Sequence, residues 1–569
     1  MPESIFVPAR TRQDRFPPPH VPEVQMKALQ QFRMYARFGA GLPGFLRNTI
    51  SLADAQAIVR RGIEQREENF LRLMDRGVLR NSGSPYAKLL RLAQCEFGDL
   101  EGMVRRRGLQ PALRSLRDAG VYVTFEELKG REPIVRQGKT FEVATSDFAN
   151  PLLSRAYQSD SGGSTGAGIR VDQDLDHLAI QAAHFMLAFS AHNVLDVPHG
   201  IWRGVLPDGS GINNVLRCSR FGRVPAKWFS PTRLTDPKPP LRFAMATYGT
   251  VLIGRTFGVP LPWPESVPIE QAAVVARWAA ETARKHGGCV VSAPVSRALR
   301  VSIAAQDSGL DLSGVTFVIA GEPPTPAKVA GIHASGARCF TTYGFTEAGR
   351  VAMGCTHPVS GNDLHVLRDA FEVFPVPHTV PGTDTVVDAL NITSLLLTSP
   401  LILLNAELDD YGVVETRSCG CALEALGYDL HVRDIHSYRK LTGEGVTLVG
   451  GEMIDVIERV LPARFGGSPL DYQLMEEEDE HGFTRLSLLV SPRVRIEDES
   501  QVIPAVLEQL QRSSVMAASA KGIWAQAGTL RLKRMDPVWT GRGKLLPLHL
   551  IRRNKPADGP IDCSDNKRS

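Results

Sequence analysis

From about residue 150 to about residue 400, short apolar runs alternate with segments whose apolar residues recur at helical spacing. GVTFVIAG at 314–321 is one such run, PTPAKVAGIHASG after it has helical spacing, and GARCFTTYGF returns to the strand pattern. A chain that alternates in this way places helices against a sheet and its active loops at strand ends, so the expected class is α/β. At 569 residues it is too long for one small core. The flanks differ from the middle. Residues 22–145 read as mainly helical, with LADAQAIVRRGIEQREENFLRLMDRG carrying the apolar stripe of a core-facing helix, while YVTFEELKGREPIVRQGKTFEV reads as short strands or extended loop. Near 436–445 the polar, glycine-containing HSYRKLTGEG reads as a hinge. Beyond it MIDVIERVLPARF and IPAVLEQLQRSSVMAASAKG read as helices around the strand FTRLSLLVSPRVRI, a compact α+β unit, and the last residues, NKPADGPIDCSDNKRS, are expected to be a disordered tail.

Composition narrows the function classes. Hydrophobic residues make up 43% and charged residues 22%, which is ordinary for a globular protein, and the net charge of +4 makes no case for nucleic acid. No run approaches the roughly 18 apolar residues of a membrane helix. MPESIFVPARTRQDRFPPPH has charges and prolines where a signal peptide has an apolar core, so a cytoplasmic location is expected. The eight cysteines do not suggest a secreted disulfide framework. Cys419 and Cys421, one residue apart, are placed better for a metal than for each other.

Four segments concentrate chemistry. SDSGGSTGAGIRV at 159–171 brings together glycines, which let a backbone approach phosphate, and N–H and hydroxyl donors for its oxygens. Ser161, Gly162, Gly163, Ser164, Thr165 and Gly166 supply them, and no Gly-Lys-Ser/Thr ends the loop as it would a Walker motif. TTYGFTEAG at 341–349 follows a predicted strand, GEPPTP at 321–326 follows another, and WTGRGKLLP at 539–547 stands near the end of the chain.

In order and spacing these segments resemble the motifs of the adenylate-forming superfamily of acyl-CoA synthetases, adenylation domains and luciferases. They come nearest to its phenylacetate–CoA ligase and acyl-protein synthetase branch. The resemblance spans residues 150–550, and residues 1–145 add little to it. One departure is plain: the family's glycine loop continues into proline and lysine, whereas here Gly168 and Ile169 take those places, with Arg170 next to them.

The resemblance implies that Tyr343, after Thr342 and before Gly344, lies against the adenine, that Thr346 contacts the α-phosphate, and that Glu347 holds Mg²⁺. Gly321, Glu322 and Pro323 would border the adenine pocket. Asp410, nine residues before Cys419, would clamp the ribose hydroxyls, with Asp409 its rival. Lys544 would complete the adenylation site. Some phenylacetate–CoA ligase relatives carry a structural zinc, which maps onto Cys355, His365, Cys419 and Cys421, with His357 and His431 as rivals for the nitrogen position.

The implied architecture is a large multi-layer adenylation domain, 1–145 being its helical N-terminal part and 146–435 its nucleotide- and acid-binding core, with a small mobile α+β lid over 436–569. Arg433, Arg439 and Lys440 are the hinge candidates. The implied reaction joins ATP and a carboxylic acid into an acyl-AMP, then moves the acyl group to a thiol, coenzyme A. Transfer to a carrier-protein or other protein thiol or to an amine is the alternative. A degenerate member that binds nucleotide or acyl ligand without turnover is a rival from another class. Neither nucleic acid nor membrane is implied as a partner.

Overall fold

The computed structural model of the chain describes residues 23–160, 170–232, 241–322, 324, 326–379, 386–437, 440–443, 446–449, 456–467, 471–478, 484–511, 528–538 and 548–550. Their organising element is a sheet of 12 strands that is parallel in one half and antiparallel in the other. The parallel half runs Pro264–Ser266, Lys227–Ser230, His199–Trp202, Cys289–Pro294, Val315–Ala320, Arg338–Phe345. In chain order that is 3-2-1-4-5-6, the doubly wound arrangement, and the order reverses between His199–Trp202 and Cys289–Pro294.

Strand burial explains the doubly wound form. Cys289–Pro294 and Val315–Ala320 are buried along their whole length, as strands covered on both faces must be. Successive side chains divide between two cores by the period of two. Cys289, Val291, Ala293, Val315, Phe317 and Ile319 pack on the helices Ala272–His286 and Val295–Asp307. Val290 and Val318 face the other way, into the larger core that includes the helix Leu175–Ala191.

That larger core also takes in the N-terminal helices, through Val59, Phe70, Leu73, Leu89, Leu113 and Leu116. Where residues 122–143 read from sequence as strand or loop, they form one helical turn, Phe125–Leu128, and a hairpin, Ile134–Arg136 with Lys139–Phe141. The turn forms because Thr124 and Glu127 close a capping box, each side chain bonding the other's backbone N–H.

Regular structure borders and enters the stretch read as a hinge. Leu430–Ser437 is a strand of the large sheet, and Lys440–Gly443 pairs with Val446–Val449 as a hairpin. Leu441 and Leu448 sit opposite each other in that register. C-terminal to it, a four-stranded sheet packs Tyr472, Leu474, Leu486, Leu488 and Val490 against the helix Val502–Gln511, giving the α+β unit expected from sequence. Among the described residues no helix is long and apolar enough to cross a membrane.

Candidate active site and metal centre

The parallel half of the sheet becomes antiparallel at one hairpin. Arg338–Phe345 pairs in parallel with Val315–Ala320 on one side and antiparallel with Gly349–Gly354 on the other. Thr346, Glu347 and Ala348 form the connecting turn, at the C-terminal end of the last parallel strand. Two glycines make so tight a turn possible. Gly344 lies at a register shift where an added Cβ would meet Gly349 O at 2.2 Å, and Gly349 itself has φ +87° with Gln181 directly against it. The Thr346 carbonyl accepts from Gln173 Nε2 at 3.1 Å, and the Glu347 carbonyl from Leu401 N at 3.1 Å, so the turn is held from both sides.

The Glu347 carboxylate is buried and forms an ion pair with Lys129, whose ammonium is buried as well and lies over the Phe125 ring. Lys129 sits one residue past the Phe125–Leu128 turn and 218 residues from Glu347. Reading the sequence missed it. No local signal marks a lysine that acts through tertiary contact alone.

Tyr343 and Asp410, 67 residues apart, are brought together: the phenol donates to Asp410 Oδ2 at 2.8 Å. Burial, then the facing carboxylate, pushes the Tyr343 hydroxyl well above its ordinary range, so it stays a donor. Asp409, the rival, is buried with φ +64°, and its carbonyl accepts from Ser437 Oγ at 3.0 Å. Alternation along the strand therefore turns Asp410, not Asp409, to Tyr343. Arg433 is not part of this pair. Its guanidinium bonds Glu415 at 3.1 Å and Asp434 at 2.6 Å, which raises its pKa.

Gly321 has φ +86° and ends the Val315–Ala320 strand. The buried Glu322 accepts from Ser296 N at 3.3 Å and from Ser296 Oγ, and lies 3.5 Å from Lys328 Nζ. A carboxylate at the first turn of Val295–Asp307 complements the helix dipole, so Glu322 ties two strand ends together. Ser161, Gly162, Gly163, Ser164, Thr165, Gly166, Pro323, Arg439 and Lys544 lie outside the described residues. The strands on either side of the glycine loop, Ala156–Asp160 and Arg170–Asp174, pair antiparallel.

A second cluster forms beside the antiparallel half. One ligand atom from each of Cys355, His365, Cys419 and Cys421 lies within 4.8 Å of the others. His365 Nε2 is 3.0 Å from Cys421 Sγ and 3.7 Å from Cys419 Sγ, while its Nδ1 lies 2.5 Å from Tyr428 O. That outer bond fixes the ring so that Nε2 faces the sulfurs, as around a ligating histidine. Hydrogen bonds from Cys355 and then from His365 hold the Cys421 thiol well below its ordinary range, while Cys355, sharing that sulfur, is pushed up. Glu424 accepts from Cys419 N and Gly420 N at 2.8 and 2.6 Å and so shapes the Cys-x-Cys turn. The rival histidines are otherwise engaged: His357 Nδ1 lies 2.8 Å from Cys419 O, and His431 Nδ1 lies 2.7 Å from Asp363 Oδ1. Cys355, Asp363 and His431 form an overlapping group, which makes His431 the stronger rival. Three thiols and one imidazole nitrogen at these spacings suit a tetrahedral cation with Zn–S near 2.3 Å and Zn–N near 2.0 Å.

No protein-family model and no curated protein matches the chain. Among solved structures it is similar to 2-hydroxyisobutyryl-CoA ligase in complex with 2-HIB-AMP and CoA in the thioesterification state. That match has 13% identity over 89% of this chain and 91% of the other, at a TM-score of 0.45. The acyl-CoA synthetase (AMP-forming)/AMP-acid ligase II-like protein of Dyadobacter fermentans DSM 18053 matches at 14% identity over 69% and 87%, TM-score 0.28. The anthranilate CoA ligase AuaEII in complex with anthranoyl-AMP matches at 11% over 77% and 75%, TM-score 0.31.

Proposed function

We propose that the chain is an ATP-dependent acid–thiol ligase that forms an acyl-AMP and transfers the acyl group to a thiol, coenzyme A. The observation that supports this most is the convergence of Tyr343, Thr346, Glu347 and Asp410 around one turn at a strand's carboxyl end. An adenylation site needs a nucleoside clamp and a carboxylate beside the reacting phosphorus, and in this reading Tyr343 with Asp410 would be the first and Glu347 the second.

In this reading Tyr343 and Asp410 hold the adenosine, the aspartate accepting from the ribose hydroxyls. The acid's carboxylate oxygen attacks the α-phosphorus, the bond to the bridging oxygen breaks, and pyrophosphate leaves with its electron pair. Thr346 donates to the α-phosphate, and Lys544 neutralises the two anions as they approach. A buried carboxylate suits a hard ion, so Glu347, ion-paired with Lys129 in this structure, would hold Mg²⁺, which would offset charge at the phosphates. The thiol then attacks the acyl carbon and AMP departs. Cys355, His365, Cys419 and Cys421 would hold a zinc that supplies structure and no catalysis, because four protein ligands leave no open position.

The test is acid-dependent exchange of labelled pyrophosphate into ATP across a carboxylic-acid panel, with release of coenzyme A thioester as the second half-reaction. Lys544→Ala is expected to lower exchange by roughly 10²- to 10³-fold, while transfer from supplied acyl-AMP falls far less. Equal loss in both half-reactions with the fold intact would reject the role of Lys544. ATP binding without exchange on any acid would favour a non-catalytic nucleotide-binding protein.

A further inference from the structure

Arg203 directly follows the His199–Trp202 strand, and Arg297 stands in the first turn of the helix that follows Cys289–Pro294. Those strands are neighbours at the reversal of strand order, and open α/β sheets receive ligands at that point, outside the carboxyl ends. Each arginine reaches across to the other strand: Arg203 Nη2 donates to Ala293 O at 2.9 Å and Arg297 Nη1 to Trp202 O at 3.3 Å. Arg217, from the helix Ser210–Arg220, and Arg350, just past the Glu347 turn, both lie over the Phe185 ring, at 4.3 and 6.0 Å. Arg217 also donates to Gln181 Oε1 at 2.6 Å, and that glutamine packs under Gly349. The cluster therefore borders the turn that carries Thr346 and Glu347.

Arg203 is 7% exposed and Arg217 3%. Among the described residues no carboxylate comes within ion-pair distance of Arg203, Arg217 or Arg350, and the Nε of each is buried without a hydrogen-bond partner. The acids within electrostatic reach of Arg203 are Asp208, which accepts from Ser210 N at 2.8 Å, and Glu322, already engaged by Ser296 and Lys328. Burial, and then repulsion within the cluster, draws Arg203 and Arg350 down to about 9, and burial draws Arg217 to about 10. Buried charges in natural proteins are paired, so several guanidiniums buried together call for an anion.

We propose that this cluster binds a second anionic group on the acid substrate, making the substrate a dicarboxylate or a carboxylate that bears a sulfonate or phosphate. The proposal rests on the adenylation reading for the reacting end of that acid. Arginine suits the task because its planar fork bonds oxyanions in pairs of parallel hydrogen bonds. Two to three strand spacings, about 10–15 Å, separate the strand carrying Thr346 and Glu347 from those holding Arg203 and Arg297. That span suits a short two-ended acid more than a single phosphoryl group.

The test pairs acids that differ only at the far end, glutarate to suberate against pentanoate to octanoate, in pyrophosphate exchange. Thermal melts of the whole protein without ATP accompany it. Wild type is expected to prefer the diacid in kcat/KM by about 100-fold or more, and Arg203→Met to lower that preference by at least about tenfold. Diacid alone should raise the melting temperature of wild type and not of Arg203→Met. Unliganded Arg203→Met should melt at or above wild type, since an uncompensated buried charge is gone. A merely structural arginine would melt lower. If Arg203→Met does not fold, Arg350→Gln carries the same comparison. A wild-type preference for monoacids, or a diacid preference that neither variant changes, overturns the proposal. So does Arg203-dependent stabilisation by pyrophosphate but not by diacid, which would give the cluster to phosphate. If no acid supports exchange yet diacid stabilises only wild type, the anion site stands and the adenylation reading falls. Exchange on monoacids without diacid stabilisation means the reverse.

Discussion

Glu347→Gln is expected to lower acid-dependent pyrophosphate exchange by roughly 10²- to 10³-fold while binding of the acid changes little. Glutamine keeps the shape and one acceptor oxygen but gives up the charge that holds a hard cation. In the resting protein that charge is balanced by Lys129, and both partners are buried. Breaking a buried pair by removing one side costs about 3–5 kcal/mol because the other charge is left alone. The substitution should therefore also destabilise the protein, and Lys129→Met added to it should recover much of that stability. The two effects separate cleanly. Raising Mg²⁺ should recover part of the exchange rate of Glu347→Gln if metal occupancy is the defect. Lys129→Met alone removes the ammonium that competes with a metal for the carboxylate, so Mg²⁺ should raise its melting temperature more than that of wild type. If Glu347→Gln matches wild type at every Mg²⁺ concentration, the metal role is wrong.

The purified protein should contain about one zinc per chain, and Cys421→Ser should lose the metal and lower the melting temperature by on the order of 10 °C. The cluster ties Cys355 and His365 to the turn at 419–421, more than 50 residues further on and within one core. Without the cation, three sulfurs and a ring nitrogen would remain crowded together, with Tyr428 O and Glu424 already holding the His365 ring and the 419–421 turn. Metal content of the histidine variants identifies the nitrogen ligand. His365→Asn should empty the site and His357→Asn should keep it filled. Zinc lost from His431→Asn but retained in His365→Asn would move the site to Cys355, Asp363 and His431. A metal-free wild type with an unchanged melting temperature in chelator would remove zinc from the account.

What can be read in this sequence is what local chemistry determines. The alternation of apolar runs and helical stripes follows from two periodicities, and the strands Val315–Ala320 and Arg338–Phe345 lie where those runs stand. The turn after Tyr343 is marked by its own glycines, since Gly344 and Gly349 each occupy a place that a Cβ would close. The spacing of Cys419 and Cys421 already marks them as candidate metal ligands, and the structure brings them beside Cys355 and His365. The hairpin at 440–449 is weakly marked, because each of its strands is only four residues long within a polar, glycine-containing stretch.

The rest belongs to the tertiary structure. Nothing near Lys129 distinguishes it from the chain's other lysines, and only the packing of the Phe125–Leu128 turn aims it at Glu347. Glu322 lies in a recognisable Gly-Glu-Pro segment, yet its bonds to Ser296 and Lys328 become visible only when strand and helix ends meet. Arg203, Arg217, Arg297 and Arg350 look in sequence like four ordinary surface residues of separate elements. Strand order brings the ends of their elements together near the sheet's reversal point, where Arg203, Arg217 and Arg297 are buried. Backbone turns and ligand spacings are set by neighbours in the chain and leave a local signature. Charge pairing across hundreds of residues depends on which faces meet, and it has no period for a sequence to show.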